Sequence, residues 1–105
     1  MRVVYAPEAI RDLQAVKESV VEKFADTNLA DEVIRDITSN IRHLEMFPKM
    51  GQEVIISNDI EIGYRYLFCR HNYIFYRIEQ DVVHISRVLN EKQEFMRILY
   101  GITEQ

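Results

Sequence analysis

Tryptophan is absent, cysteine occurs once, proline twice and glycine three times in 105 residues. The lone Cys69 has no partner within the chain, so a disulfide scaffold is excluded and a reducing compartment is expected. With so little glycine and proline there is no linker or low-complexity stretch, and residues 1–105 are predicted to form a single domain. No apolar run approaches the roughly 18 residues of a membrane span. The opening ten residues, with Glu8 among them, have no leader-like pattern, so a cytoplasmic chain is expected. A glycine-rich phosphate loop is missing, and His43, His71 and His84 do not stand at metal-ligand spacing with Cys69. Ser57 and Ser86 lie in no nucleophile motif. Neither a metal nor a cofactor is therefore expected.

What is present suffices for one core. Hydrophobic residues make up 48% and charged residues 29% of the chain, and a domain of this size buries about two-thirds of its unfolded surface. The net charge is −4, which opposes a chain-wide grip on nucleic acid or anionic lipid. The charge is uneven: residues 1–60 carry seven basic and eleven acidic side chains, residues 61–105 six of each. Between Tyr64 and Ile78 stand Arg65, Arg70, His71 and Arg77 without a single acid, the most cationic window of the chain.

Arg2 to Tyr5 reads as a short strand, and Ala6-Pro7-Glu8 places proline and an acid where a first helical turn favours them. Ile10, Leu13, Val16, Val20 and Phe24 then recur at helical spacing. Asp26-Thr27-Asn28 caps and turns the chain, and Ala30, Ile34, Ile37, Ile41 and Leu44 mark a second helix. After Phe47 to Gly51 the period changes to that of strands: Val54 to Ile56, Tyr64 to Cys69, Tyr73 to Ile78 and Val82 to Val88. Turns at His71-Asn72 and Gln80-Asp81 predict an antiparallel meander. Asn90 with Gln93 three residues later reads as a capping box opening a last helix through Phe95, Ile98 and Leu99, with Gly101 as its stop. The fold class is α+β, in the order β-α-α-β-β-β-α, with an antiparallel sheet, a helical hairpin on one face and a short C-terminal helix.

Strand alternation sorts the meander into two faces. Leu67, Cys69, Ile74, Tyr76, Ile78, Val83 and Ile85, with Arg65 and Arg87 at the ends, form an apolar face for the helical hairpin, and Cys69 there is a buried structural thiol. Tyr66, Phe68, Arg70, Tyr73, Phe75, Arg77, His84 and Ser86 form the other. Two readings of the second face stand side by side. Its aromatic and cationic mixture suits stacking on bases and pairing with phosphate, and its arginines suit neutralisation by hairpin acids such as Asp12, Glu22 or Asp36.

Tyr64-Arg65, the Asn72 to Ile78 strand, the Val83 to Leu89 strand and the Phe95 to Gly101 ending, in this order of elements, resemble the RelE/ParE superfamily of type II toxin–antitoxin modules. The resemblance implies a growth-inhibiting, plasmid-stabilising toxin held by a cognate antitoxin in a hetero-oligomer. It implies one of two targets. RelE-like toxins are ribosome-dependent, metal-independent endoribonucleases that cleave messenger RNA in the A site with basic and tyrosine side chains, whereas ParE-like toxins inhibit DNA gyrase. On the RelE-like side the resemblance implies Arg65, Arg87 and Lys92 as the catalytic cations, because a phosphate under attack by a 2′-OH needs positive charge around it. Leu67 and Tyr73 stand where such enzymes carry a lysine and an arginine, and the Arg87 to Asn90 segment and the Ile98 to Gly101 ending look closer to the ParE-like side. Antitoxin contact is expected at the strands bearing Tyr5, Val54 and Ile56 and on the last helix at Arg97 and Tyr100.

Overall fold

The computed structural model describes residues 1–56 and 60–93. Its elements are β1 (Arg2–Tyr5), α1 (Pro7–Phe24), α2 (Thr27–Arg42), a 3-10 turn (His43–Glu45), β2 (Gln52–Ile56), β3 (Ile60–Cys69), β4 (Asn72–Glu79) and β5 (Val82–Asn90). Pro7 occupies the first turn of α1, with Glu8 beside it near the positive end of the helix dipole. Ala25 ends α1 in the left-handed region, and Asp26 then caps α2 by accepting a hydrogen bond from the Leu29 N–H at 3.0 Å. α2 buries Ala30, Val33, Ile37 and Ile41. Val33 thus takes the inward position expected of Ile34, which is only half-buried. Among the described residues no helix is long and apolar enough to cross a membrane.

One five-stranded sheet runs in the order β1-β5-β4-β3-β2. β2 to β5 are antiparallel, as expected, but β1 lies beside β5 and runs parallel to it, with Val3 opposite Val83 and Tyr5 opposite Ile85. Parallel neighbours need a long crossover. Here everything from α1 to β4 separates the two strands in sequence, so no local signal marks them as partners. The helical hairpin covers one face. Ile37, Ile41 and Leu44 pack there against Ile74, Tyr76, Val83 and Ile85, joined by the half-buried Leu67, Cys69 and Ile78. Val54, Phe75 and Leu89 form a smaller cluster with Tyr64, Tyr66 and Tyr73.

The β3–β4 turn is one residue earlier than expected. Cys69 pairs with Asn72, so Arg70 and His71 are the turn residues, with φ of 53° and 63°. The Asn72 side chain draws its residue into the strand by donating to the Arg70 carbonyl at 2.8 Å. Moving the pairing from Arg70–Tyr73 to Cys69–Asn72 changes the register by two, which leaves both faces as alternation predicts. β5 departs more. Tyr76 pairs with Ile85 but Phe75 with Arg87, so Ser86 is the extra residue of a bulge. Beyond it Val88 joins the helix-side core and Leu89 the aromatic side.

Gln80 and Asp81 form the β4–β5 turn as expected, both with positive φ, 51° and 60°. A two-residue turn of this hand favours Asn-Gly because a side chain at left-handed φ is strained. The double substitution Gln80→Asn, Asp81→Gly should stabilise the domain by about 1 kcal/mol, read as a higher urea midpoint at unchanged slope. A lower midpoint would show that these side chains hold contacts worth more than the strain.

The two side chains of the expected capping box hydrogen-bond within the segment Asn90 to Gln93. Asn90 Oδ1 accepts from the Lys92 N–H at 3.0 Å, and Gln93 Oε1 accepts from the Asn90 N–H at 2.8 Å. The last helix expected from it lies outside the described residues, together with Arg97 and Tyr100.

Candidate functional site

The cationic window carries no acid of its own, yet each of its arginines meets a carboxylate, those of Arg65 and Arg70 on other elements and that of Arg77 two residues on in the same strand. Arg65, on β3, donates from Nη2 to Glu53 on β2 at 3.1 Å and from Nη1 to the Gly51 carbonyl at 2.9 Å. Arg70 reaches α2, donating to Asp36 at 2.8 and 2.7 Å with Glu32 at 3.6 Å. The Asp36 bond holds the guanidinium pKa above its ordinary value. His71 Nδ1 lies 3.1 Å from Glu91. Arg77 pairs with Glu79 at 2.7 Å and lies over the Tyr64 ring, 5.3 Å from its centroid.

Arg87 is held most firmly. Its Nε and Nη2 donate to the two carboxylate oxygens of Asp12 on α1, at 2.7 and 2.9 Å. A third donor, the Val88 N–H, reaches the same carboxylate at 2.9 Å. β1 pairs with β5 only as far as Ile85, so Asp12 also closes the strand edge that β1 leaves uncovered. The pair is mostly buried, and the Asp12 hydrogen bond raises the Arg87 pKa.

These placements separate the three expected catalytic cations. Arg65 is fastened towards β2, Arg87 towards α1, and Lys92 is exposed beyond the end of β5. Of the hairpin acids named as possible neutralisers, Asp12 and Asp36 serve in that role. Tyr5 and Val54 sit on the two edge strands, β1 and β2, with Ile56 at the end of β2. Each strand has one sheet neighbour among the described residues, but the Tyr5 side chain packs on the main core and Val54 is 9% exposed in the smaller one. Strand addition there would be a backbone interaction. The Cys69 thiol is half-buried, accepts a hydrogen bond from Asn40 Nδ2 at 3.3 Å, and is pushed up in pKa by burial and by Asp36. A thiol held protonated is a poor nucleophile. Among the described residues no three His, Cys, Asp or Glu side chains form a metal-binding group.

One concavity was not read from the sequence. A groove of about 710 Å³ runs between α1, the start of α2 and the adjoining ends of β4 and β5, with Val16, Val20, Phe24, Leu29 and Asn72 among its lining. Its sequence signal was available in α1, whose apolar stripe continues to Phe24, at a position 62% exposed in the fold.

The fold has counterparts among known structures. A chain of the chromosomal ParDE toxin–antitoxin system from P. aeruginosa superposes with a TM-score of 0.72 at 18% identity, over 86% of this chain and 95% of that one. A YoeB/ParE toxin from Agrobacterium tumefaciens does so with a TM-score of 0.54 at 16% identity, over 86% and 98%. No curated protein sequence matches. The model of the ParE toxin of the type II toxin–antitoxin system parDE matches residues 3–95, nearly the whole chain and every described element, and the chain therefore belongs to the ParE toxin family.

Proposed function

We propose that this chain is the growth-inhibiting toxin of its module, held inactive in the cytoplasm by a cognate protein antitoxin, and that it acts by binding DNA gyrase. The observation that carries the choice of target is the neutralisation of the cations. Phosphoryl chemistry on RNA needs positive groups converging on the scissile phosphate and free to meet it. Arg65 on β3 and Arg87 on β5 are instead committed to Glu53 and Asp12, with β4 between the two strands, and Lys92 lies beyond the end of β5. A protein surface used for binding needs no such convergence.

Induced expression with two parallel readouts tests this. Supercoiling by gyrase should be inhibited, while ribosome-bound transcripts show no new cleavage ends. Arg65→Ala removes a side chain 21% exposed that also donates to the Gly51 carbonyl, so it should lower stability by about 1–2 kcal/mol yet leave toxicity within about threefold of the parent at equal folded-protein level. Mapped cleavage in the ribosomal A site with supercoiling unaffected would replace the gyrase reading with the endoribonuclease one.

A further inference from the structure

The exposed large hydrophobic side chains are not evenly spread. Met46 at 78%, Phe47 at 61% and Met50 at 41% fall within five consecutive positions between α2 and β2. Met1, 43% exposed, is brought to the same place by its amine, which donates to the Glu45 carbonyl at 2.7 Å. Single exposed apolar residues are ordinary, but a concentration of them marks a surface for a partner.

The loop that carries them is held from within and from below. The Met46 and Phe47 N–H groups both donate to the His43 carbonyl, and the Met50 N–H donates to the Phe47 carbonyl. The buried Tyr76 hydroxyl, on β4, donates to the Pro48 carbonyl at 2.8 Å and accepts from the Gly51 N–H at 3.0 Å. Arg65, on β3, donates to the Lys49 and Gly51 carbonyls at 3.3 and 2.9 Å. Because Tyr76 grips both Pro48 and Gly51, the loop keeps its seat when Arg65 alone is removed. A partner therefore meets a backbone that the sheet has already ordered.

Charge and position limit the occupant. Arg42 and Lys49 flank the loop without an ion-pair partner among the described residues, against one unpaired acid, Glu45. The loop is thus locally cationic on a chain of net charge −4. A second copy does not complement it. Two such loops would bring like charges together, and the groove beside α1 presents Lys23 and Lys92, which are also unpaired among the described residues. The antitoxin contacts expected at Tyr5, Val54, Ile56 and the last helix include none of the loop side chains. Leu29, at the start of α2, lines the groove, whereas the loop follows the end of that helix, about 24 Å away along its 16 residues. A protruding apolar loop with cationic flanks fits an apolar recess with an acidic rim on a different protein.

Resting on the gyrase reading above, we propose that the Met46 to Met50 loop is the surface that meets the target, with Phe47 and its flanking methionines seated in an apolar recess of gyrase and Lys49 against an acidic rim.

The test is inhibition of supercoiling by purified gyrase, with binding of the protein encoded by the neighbouring reading frame as a second readout. The double variant Met46→Ala, Phe47→Ala and the single variant Lys49→Glu change exposed side chains, so both should keep the parental circular dichroism and unfolding midpoint. The double variant should need about tenfold more protein for half-inhibition. Lys49→Glu should need about threefold more, and the difference should shrink at high salt. Both should bind the neighbouring protein as the parent does. Ile10→Ala, which removes a side chain 56% exposed on α1, should inhibit as the parent does. Parental inhibition by the loop variants would overturn the loop as the target surface while leaving the gyrase reading intact. Failure of the unaltered chain to inhibit gyrase would overturn that reading, and this proposal with it. Loop variants that lose the neighbouring protein but inhibit gyrase in full would make the loop an antitoxin contact, and a change in the oligomeric state of the chain alone would make it a contact between copies; either result overturns the proposal.

Discussion

Asp12→Ala is expected to cost about 3 kcal/mol of unfolding free energy, a large fraction of the stability of a domain this size. One carboxylate accepts two hydrogen bonds from Arg87 and one from the Val88 N–H. Its side chain is 14% exposed and that of Arg87 26%, so removing the acid leaves a mostly buried guanidinium and an uncapped strand edge beside the bulge. The contact joins α1 to β5 across 75 residues of sequence, which makes it tertiary and absent from any isolated element. Urea unfolding at unchanged slope gives the number. Asp12→Asn keeps one acceptor but turns a second group into a donor facing the guanidinium, so it should recover little of the loss. A midpoint within 0.5 kcal/mol of the parent for Asp12→Ala would show that water replaces the carboxylate and that the pair is ornamental.

Gly51→Ala should be comparably damaging, at about 3 kcal/mol, for a steric reason. A Cβ at position 51 would stand 2.5 Å from the Tyr76 hydroxyl oxygen, 2.7 Å from its ring and 2.8 Å from the Tyr66 carbonyl oxygen. None of these yields easily. Tyr76 is fully buried, its hydroxyl donating to the Pro48 carbonyl at 2.8 Å and accepting from the Gly51 N–H at 3.0 Å, and Tyr66 is fixed in the β2–β3 and β3–β4 ladders. Burial also raises the Tyr76 pKa, so the hydroxyl remains a donor throughout the neutral range. Tyr76→Phe by itself removes both hydrogen bonds and should cost about 1–3 kcal/mol. In the double variant the closest clash disappears while the Tyr66 carbonyl contact persists, so the two costs should sum to more than the double variant loses. Strict additivity would mean that the loop at Gly51 moves away and that the close approach to Tyr76 is not a constraint.

The two predictions touch different kinds of information. Helices α1 and α2, the turn at Asp26, the meander and its two faces follow from periods of 3.6 and 2, which each segment carries within itself. That is why the faces survived a β3–β4 turn displaced by one residue: Leu67, Cys69 and Ile74 remained on the helix side and Tyr66 and Tyr73 on the other. The capping pair Asn90 and Gln93 is equally local, three residues apart, and formed as read. The family, too, was legible from the order of elements and the strand motifs.

What the sequence could not supply was everything settled by which segments meet. The Ser86 bulge sends Val88 and Leu89 to faces that simple alternation does not assign, and the parallel partnership of β1 with β5 spans some 80 residues. A window of four basic residues with no acid reads, by itself, as a surface for phosphate. In the fold Glu53, Asp36 and Glu79 neutralise its arginines, and Asp12 does the same for Arg87. The groove belongs to the same class, since half-buried valines of α1 become a wall only when β5 and the start of α2 are set against them. Local periodicity decides which way a side chain points along its own element. Only the packing of elements distant in sequence decides which charge or surface it then finds, because at contact distance the Coulomb and burial terms depend on separation in space and not on separation along the chain.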